Sequence, residues 1–249
     1  MELIWLYSIV SVAIVSLISF IGIAAFFIRK NQLNNILVYL ISFSAGALFG
    51  DAFLHLLPEA VRESGFGLNI SLSVLSGIGV FFVIEKCIHW RHCHLPITNG
   101  HRHPFAWMNL FGDAVHNFID GLIIGASYVA SVPVGIATTV AVVLHEIPQE
   151  IGDFGILVHG GFSHKKALLL NFATALTSVL GVIIALLIGS QVENMTLFLI
   201  PFAAGGFIYI AGSDLIPEMH KECAIDISLM QIASVVAGVL VMVALRAVG

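Results

Sequence analysis

A chain of 249 residues that is 59% hydrophobic and only 10% charged holds more apolar surface than a core of this size can hide, so lipid is the expected solvent for much of it. Its net charge of −5 comes without a basic patch, which argues against nucleic acid as a partner. Cys87, Cys93 and Cys223 make no even-numbered set, which argues against a disulfide framework.

A helix that crosses a bilayer takes ~20 apolar residues. Eight stretches meet that length: 3–28, 34–57, 68–89, 105–131, 134–158, 166–190, 196–217 and 227–248. The first begins almost at Met1 with no Lys or Arg ahead of it, so it reads as a retained span rather than a signal peptide. The separators carry loop punctuation, as in Arg29-Lys30-Asn31-Gln32, Arg62-Glu63-Ser64-Gly65 and Ser131-Val132-Pro133. No linker or low-complexity tract divides residues 1–249, so a single transmembrane domain is expected.

Alternation of the spans places Arg29, Lys30, Lys86, Arg91, Arg102, Lys165, Lys166 and Lys221 on one side, and only Arg62 and Arg246 on the other. The excess of cationic residues marks the cytoplasmic face. Both termini are then extracytoplasmic, and the cysteines lie on the reducing side.

In the second stretch, Asp51 and His55 stand four residues apart. They either line a pathway or form a satisfied packing pair. The segment from Phe43 to Glu59 aligns without gaps to Phe202–Glu218, with seven of 17 positions identical, among them Ala45-Gly46 with Ala204-Gly205 and Pro58-Glu59 with Pro217-Glu218. Asp214 is the partner of His55 in this alignment. With eight spans the two segments run in opposite directions, so spans 1–3 and 6–8 are expected to form an inverted repeat around central helices 4 and 5, a transporter signature. The competing explanation is chance similarity between Gly- and Ala-rich apolar helices.

The connection at 86–104 holds Cys87, His89, His92, Cys93, His94, His101 and His103. Such a tract either binds metal or is a solvated polar loop with incidental histidines.

Spans 4 and 5 carry Asp113, His116, Asn117, Asp120, His145, Glu146, Gln149, Glu150 and Asp153, with no Lys or Arg from His103 through His164. Five carboxylates at ~3 kcal/mol each near the bilayer centre would cost on the order of 15 kcal/mol. A bound cation or protonation must offset part of that, and a divalent metal does so most directly. His116 and Asp120 share one helix face at i, i+4, and His145 and Gln149 repeat the spacing. Asn117 and Glu146 each follow a histidine, so His-Asn-x-x-Asp and His-Glu-x-x-Gln form two half-sites. Imidazoles with carboxylates and amide oxygens suit zinc and other borderline first-row ions, and the absence of cysteine argues against Cu(I). Asp113, three residues before His116, is a candidate acceptor behind an imidazole or an entry ligand. Asp153 and His159 extend span 5 toward the cytoplasm as candidate exit ligands, although His159 and His164 also suit ordinary interfacial positions. Pro148 cannot donate to the Leu144 carbonyl, so a backbone oxygen should be freed beside these groups. Gly121, Gly125 and Gly152 are expected at close helix approaches.

His116-Asn-Phe-Ile-Asp120-Gly121 and His145-Glu-Ile-Pro-Gln-Glu150-Ile-Gly-Asp153 resemble the signature segments of helices 4 and 5 in the LIV-1-like branch of the ZIP metal-ion transporters. Asp51-Ala-Phe-Leu-His55-Leu-Leu-Pro-Glu59 and the Ala204 to Glu218 segment are similar to helices 2 and 7 of that family. The resemblance implies an all-α integral membrane protein of eight transmembrane helices, transport of zinc toward the cytoplasm, and a binuclear site. One ion would use His116, Asp120, His145 and Gln149. The other would use Asn117, Asp120, Glu146 and Gln149. Glu150 belongs to the same segment. Fe2+, Mn2+ and Cd2+ are the further candidate substrates, and a homodimer in the cell (inner) membrane is the expected setting. Gln149 departs from the histidine of many relatives, and Thr174, Thr177 and Ser178 stand where some relatives carry a carboxylate in helix 6.

The rival class is an intramembrane zinc protease, which needs His-Glu-x-x-His with glutamate as base. Here Gln149 occupies the last position, and Pro148 interrupts the helix.

Overall fold

The computed structural model describes residues 2–27, 30–92, 102–189, 195–221 and 224–248, and among these every regular element is helical. Lipid offers no partner for a free N–H or C=O, so a chain this apolar satisfies its backbone within helices. Among the described residues, seven helices are long and apolar enough to cross a membrane: span 1 (Glu2–Ile21), span 2 (Ile36–Ser64), span 3 (Leu68–Lys86), span 5 (Val132–Val158), span 6 (His164–Gly189), span 7 (Leu197–Met219) and span 8 (Ile225–Ala247). Span 4 (Arg102–Ala130) is 29 residues long, or ~43 Å at the helical rise. It falls short in apolarity because Asp113, His116, Asn117 and Asp120 occupy its middle, and it is sheltered among spans 3, 5, 6 and 7. Large apolar side chains such as Leu6, Leu72, Leu75, Phe82, Leu180, Leu229 and Leu240 lie exposed on the outside of the bundle, where lipid replaces water.

Several ends differ from the expected boundaries, because Lys30 to Gln32, Arg62 to Ser64, and Val132 and Pro133, expected in loops, lie within helices. The helix containing span 3 continues to His92, and span 4 already begins at Arg102. Helix formation thus consumes part of the expected 86–104 loop.

Spans 4 and 6 touch backbone to backbone. A Cβ on Gly121 would sit 1.9 Å from the Ser178 carbonyl oxygen, and one on Gly181 would sit 2.1 Å from that of Phe118. Spans 2 and 8 meet in the same way through Gly46 against Val235 and Gly238 against Phe43, and spans 3 and 7 through Gly77 against Phe202 and Gly205 against Val74. Gly152 departs from the expected role, because a Cβ there would meet nothing within 4 Å. It borders a cavity instead.

Spans 2 and 7 each contain a wide turn, at Ala52–Leu56 and Ile210–Leu215, closed by Leu57 N–H to the Ala52 carbonyl and Ile216 N–H to the Ala211 carbonyl. Pro58 and Pro217 follow directly. A proline has no N–H and its ring crowds the preceding turn, so the ladder widens just before it.

Candidate metal site

Spans 4 and 5 lie side by side, and their half-sites converge. The i, i+4 spacing brings His116 and Asp120 to one face, with His116 Nε2 3.6 Å from Asp120 Oδ2. From span 5, His145 Nε2 stands 3.2 Å from His116 Nε2 and 3.2 Å from Asp120 Oδ2. Glu146 Oε1 is 3.5 Å from both imidazole nitrogens. One atom from each of these four residues lies within 4.8 Å of the other three. Zinc with nitrogen and oxygen ligands at 2.0–2.1 Å in tetrahedral array holds them ~3.3 Å apart. Five of the six spacings, at 3.2 to 3.6 Å, are close to that value, and the sixth, between Asp120 and Glu146, is within 4.8 Å.

The carboxylates give the same answer independently. Asp120 and Glu146 are fully buried, and none of their four oxygens has a hydrogen-bond donor. Among the described residues, only the two imidazoles, at 3.2 to 3.6 Å, approach them as possible cations, and buried carboxylates without a hydrogen bond are costly and in a membrane protein mark an ion or proton site. His145 Nδ1 lies 3.2 Å from the Ala141 carbonyl. Donation from that nitrogen leaves Nε2 as the ligating atom, as second partners do for metal-bound imidazoles.

A cavity of about 510 Å³ reaches this cluster from one end of the bundle. His116, His145 and Gln149 border its inner part, and Asn109, Asp113, Pro148, Gly152 and Asp153 its walls. Glu85, Tyr209, Asp214 and Glu218 border it near the end where span 3 gives way to span 4. In the opposite direction the polar groups are closed off. Asp51 and His55 are buried, with His55 Nδ1 3.3 Å from Asp51 Oδ1, and Thr138 on span 5 donates to Asp51 Oδ2 at 3.0 Å. Asp51 and His55 thus lie outside the lining of the cavity, whereas Asp214 belongs to it.

The other expected residues divide among supporting contacts. Asn117 is buried and donates to Asp113 Oδ1 at 2.8 Å, with its own Oδ1 unpartnered. Asp113 Oδ2 accepts from Thr174 of span 6 at 2.5 Å. Glu150 is not among the four convergent residues; Asn171 of span 6 donates to its carboxylate. Asp153 accepts from Asn109 at 2.9 Å. The side chains of His89, His92, His103 and His159, and all of His94 and His101, lie outside the described residues.

Sequence reasoning did not single out Asn109, Asn171, Thr138 or Ser44. An amide or hydroxyl on an apolar span is common, and only the rotation of one helix against another reveals which faces a buried acid. The Leu144 carbonyl that Pro148 frees was legible, but its donor, Ser44 Oγ at 2.6 Å, was not.

A family model described as ZIP Zinc transporter matches residues 2–104 and 98–246. Among characterised proteins, the chain is 34% identical to zinc transporter zipt-7.1 of Caenorhabditis briggsae over 88% of this chain and 71% of the relative. It is 31% identical to zinc transporter SLC39A7 of Canis lupus familiaris over 96% of this chain and 70% of the relative. It is 36% identical to zinc transporter ZIP13 of Pongo abelii over 82% of this chain and 65% of that protein. The matches span the helices that build the metal cluster, and the chain belongs to the ZIP family of zinc transporters, carriers of divalent metal ions.

Proposed function

We propose that the chain carries zinc into the cytoplasm through the site formed by His116, Asp120, His145 and Glu146. The observation that carries this reading is the convergence of four ligand atoms within 4.8 Å of one another, three of them on buried residues, beside a cavity. Two imidazoles and two carboxylates offset the charge of a divalent ion, which loses most of its water on arrival. The cavity runs toward the end that the Lys and Arg count assigns to the cytoplasm, so this conformation faces inward. Both termini then lie outside, and the cell membrane is the proposed location.

A second ion would use Asn117, Asp120, Glu146 and Gln149. The unpartnered Asn117 Oδ1 and the position of Gln149 on the cavity wall support that assignment. Glu150 and Asp113, braced by Asn171 and Thr174, serve as carboxyl groups behind the ligands. Asp153 and Asp214 line the way out, and Asp51 and His55 line the closed side. The histidines at 89, 92, 94, 101 and 103 receive the released ion. Fe2+, Mn2+ and Cd2+ are further substrates, with the softer ions favoured by the two imidazoles.

Residues 1–249 act as one transporter domain, as a homodimer in the bilayer. Spans 1–3 and 6–8 form an inverted repeat. The matched wide turns before Pro58 and Pro217 support it. So do the glycine contacts, in which Gly46 against Val235 corresponds to Gly205 against Val74.

Purified protein in liposomes tests the class of activity. Radioactive zinc should accumulate down its gradient, and a transmembrane peptide in the same vesicles should stay intact. Cleavage without flux would overturn the carrier reading.

A further inference from the structure

Pro148 interrupts the hydrogen-bond ladder of span 5 one turn after the Leu144 carbonyl, immediately before His145 and Glu146. Proline has no N–H, so the Leu144 oxygen has no i+4 amide to accept from. A carbonyl inside a membrane bundle is almost always paired. Here the partner comes from another helix: Ser44 of span 2 is fully buried, and its Oγ lies 2.6 Å from the Leu144 oxygen. The same hydroxyl is 2.8 Å from the Leu40 carbonyl. A hydroxyl has one proton to give. The Leu40 carbonyl is in reach of its own helix's i+4 amide, whereas the Leu144 carbonyl faces a proline, so the proton belongs on Leu144.

We infer that Ser44 is a positioning residue for the metal site, its hydrogen bond to the Leu144 carbonyl holding the proline-interrupted turn of span 5 that presents His145 and Glu146 to the ion. Without it the turn loses its outside tether, and the two ligand atoms, now 3.5 Å apart, sample a wider range of separations. The packing of the two spans does not depend on this bond alone, because Thr138 donates to Asp51 between the same helices. Loss of Ser44 is therefore read in the metal site more than in the fold. The inference rests on the assignment of His145 and Glu146 as zinc ligands.

The test is a cycle of four proteins in proteoliposomes: the wild-type chain, Ser44→Ala, Pro148→Ala and the double variant, with Ser44→Thr alongside. Pro148→Ala restores an N–H that can pair the Leu144 carbonyl from within span 5. Ser44→Ala alone should raise the apparent KM for zinc about fivefold with little change in maximal rate, as expected when one buried hydrogen bond is lost. In the Pro148→Ala background the same change should move KM less than twofold. Ser44→Thr, which keeps the hydroxyl, should stay within about twofold of wild type. If Pro148→Ala stops transport, zinc-induced thermal stabilisation of the detergent-purified proteins is compared in the same cycle. An unchanged KM in Ser44→Ala, or an equal loss in both backgrounds, overturns the inference while zinc flux through the wild-type chain upholds the transport reading. Absence of flux in the wild-type chain would overturn the transport reading itself.

Discussion

His116 Nε2 and His145 Nε2 face each other at 3.2 Å from neighbouring helices. Two imidazole nitrogens at that distance can both turn a lone pair toward one ion between them. The pair supports the proposed metal site, because hydrogen bonding between helices would not call for the two buried carboxylates beside it.

The composition of the ligand shell can be read directly. Zinc X-ray absorption on the loaded protein should give nitrogen and oxygen neighbours at ~2.0–2.1 Å, with imidazole outer-shell scattering and no sulfur near 2.3 Å. A sulfur-dominated shell would move the site to the cysteines around residues 87 and 93.

Removing a buried carboxylate that no hydrogen bond satisfies should stabilise the metal-free protein. Glu146→Gln keeps the shape and deletes the charge, so melting without metal should rise by a few degrees, in line with a gain of ~1 kcal/mol or more. The same variant should lose most of the zinc-induced rise in melting temperature. A lower melting point without metal would mean that the Glu146 carboxylate is already compensated.

Gln149→His converts His-Glu-x-x-Gln into His-Glu-x-x-His. A third imidazole at i+4 from His145 should tighten zinc binding, lower the apparent KM and slow the maximal rate, since a carrier must also release its ion. Manganese flux should fall relative to zinc. Unchanged selectivity and kinetics would remove Gln149 from the ligand surroundings. New peptide cleavage would favour the protease class.

Packing makes its own prediction. Gly121→Val places a branched side chain where a single Cβ already lies 1.9 Å from the Ser178 oxygen. Spans 4 and 6 must then separate, and the yield of folded protein should collapse. Gly152→Ala meets open space, so its yield should match wild type. Equal yields for both would show that the span 4 and span 6 approach is looser than described.

The helices and their order follow from hydropathy, because lipid leaves the backbone no alternative. The His116–Asp120 and His145–Gln149 faces follow from the 3.6-residue turn. Periodicity within a helix, however, carries no information about its rotation against its neighbours. That is why the joining of Glu146 to His116 and His145, the bracing of Glu150 by Asn171, and the capture of the Leu144 carbonyl by Ser44 emerge only in three dimensions. Gly152 illustrates the same limit. Small residues on a span mark either a close contact or room for a passage, and composition does not separate the two.

Zinc-65 uptake into proteoliposomes by the wild-type chain and by His145→Ala, at matched membrane insertion, tests the central claim most directly. Loss of one of two imidazoles from a four-ligand site should bring uptake near the protein-free background, a fall of at least ~10-fold. Uptake at the wild-type rate with an unchanged KM would contradict passage of zinc through the His116, Asp120, His145 and Glu146 site.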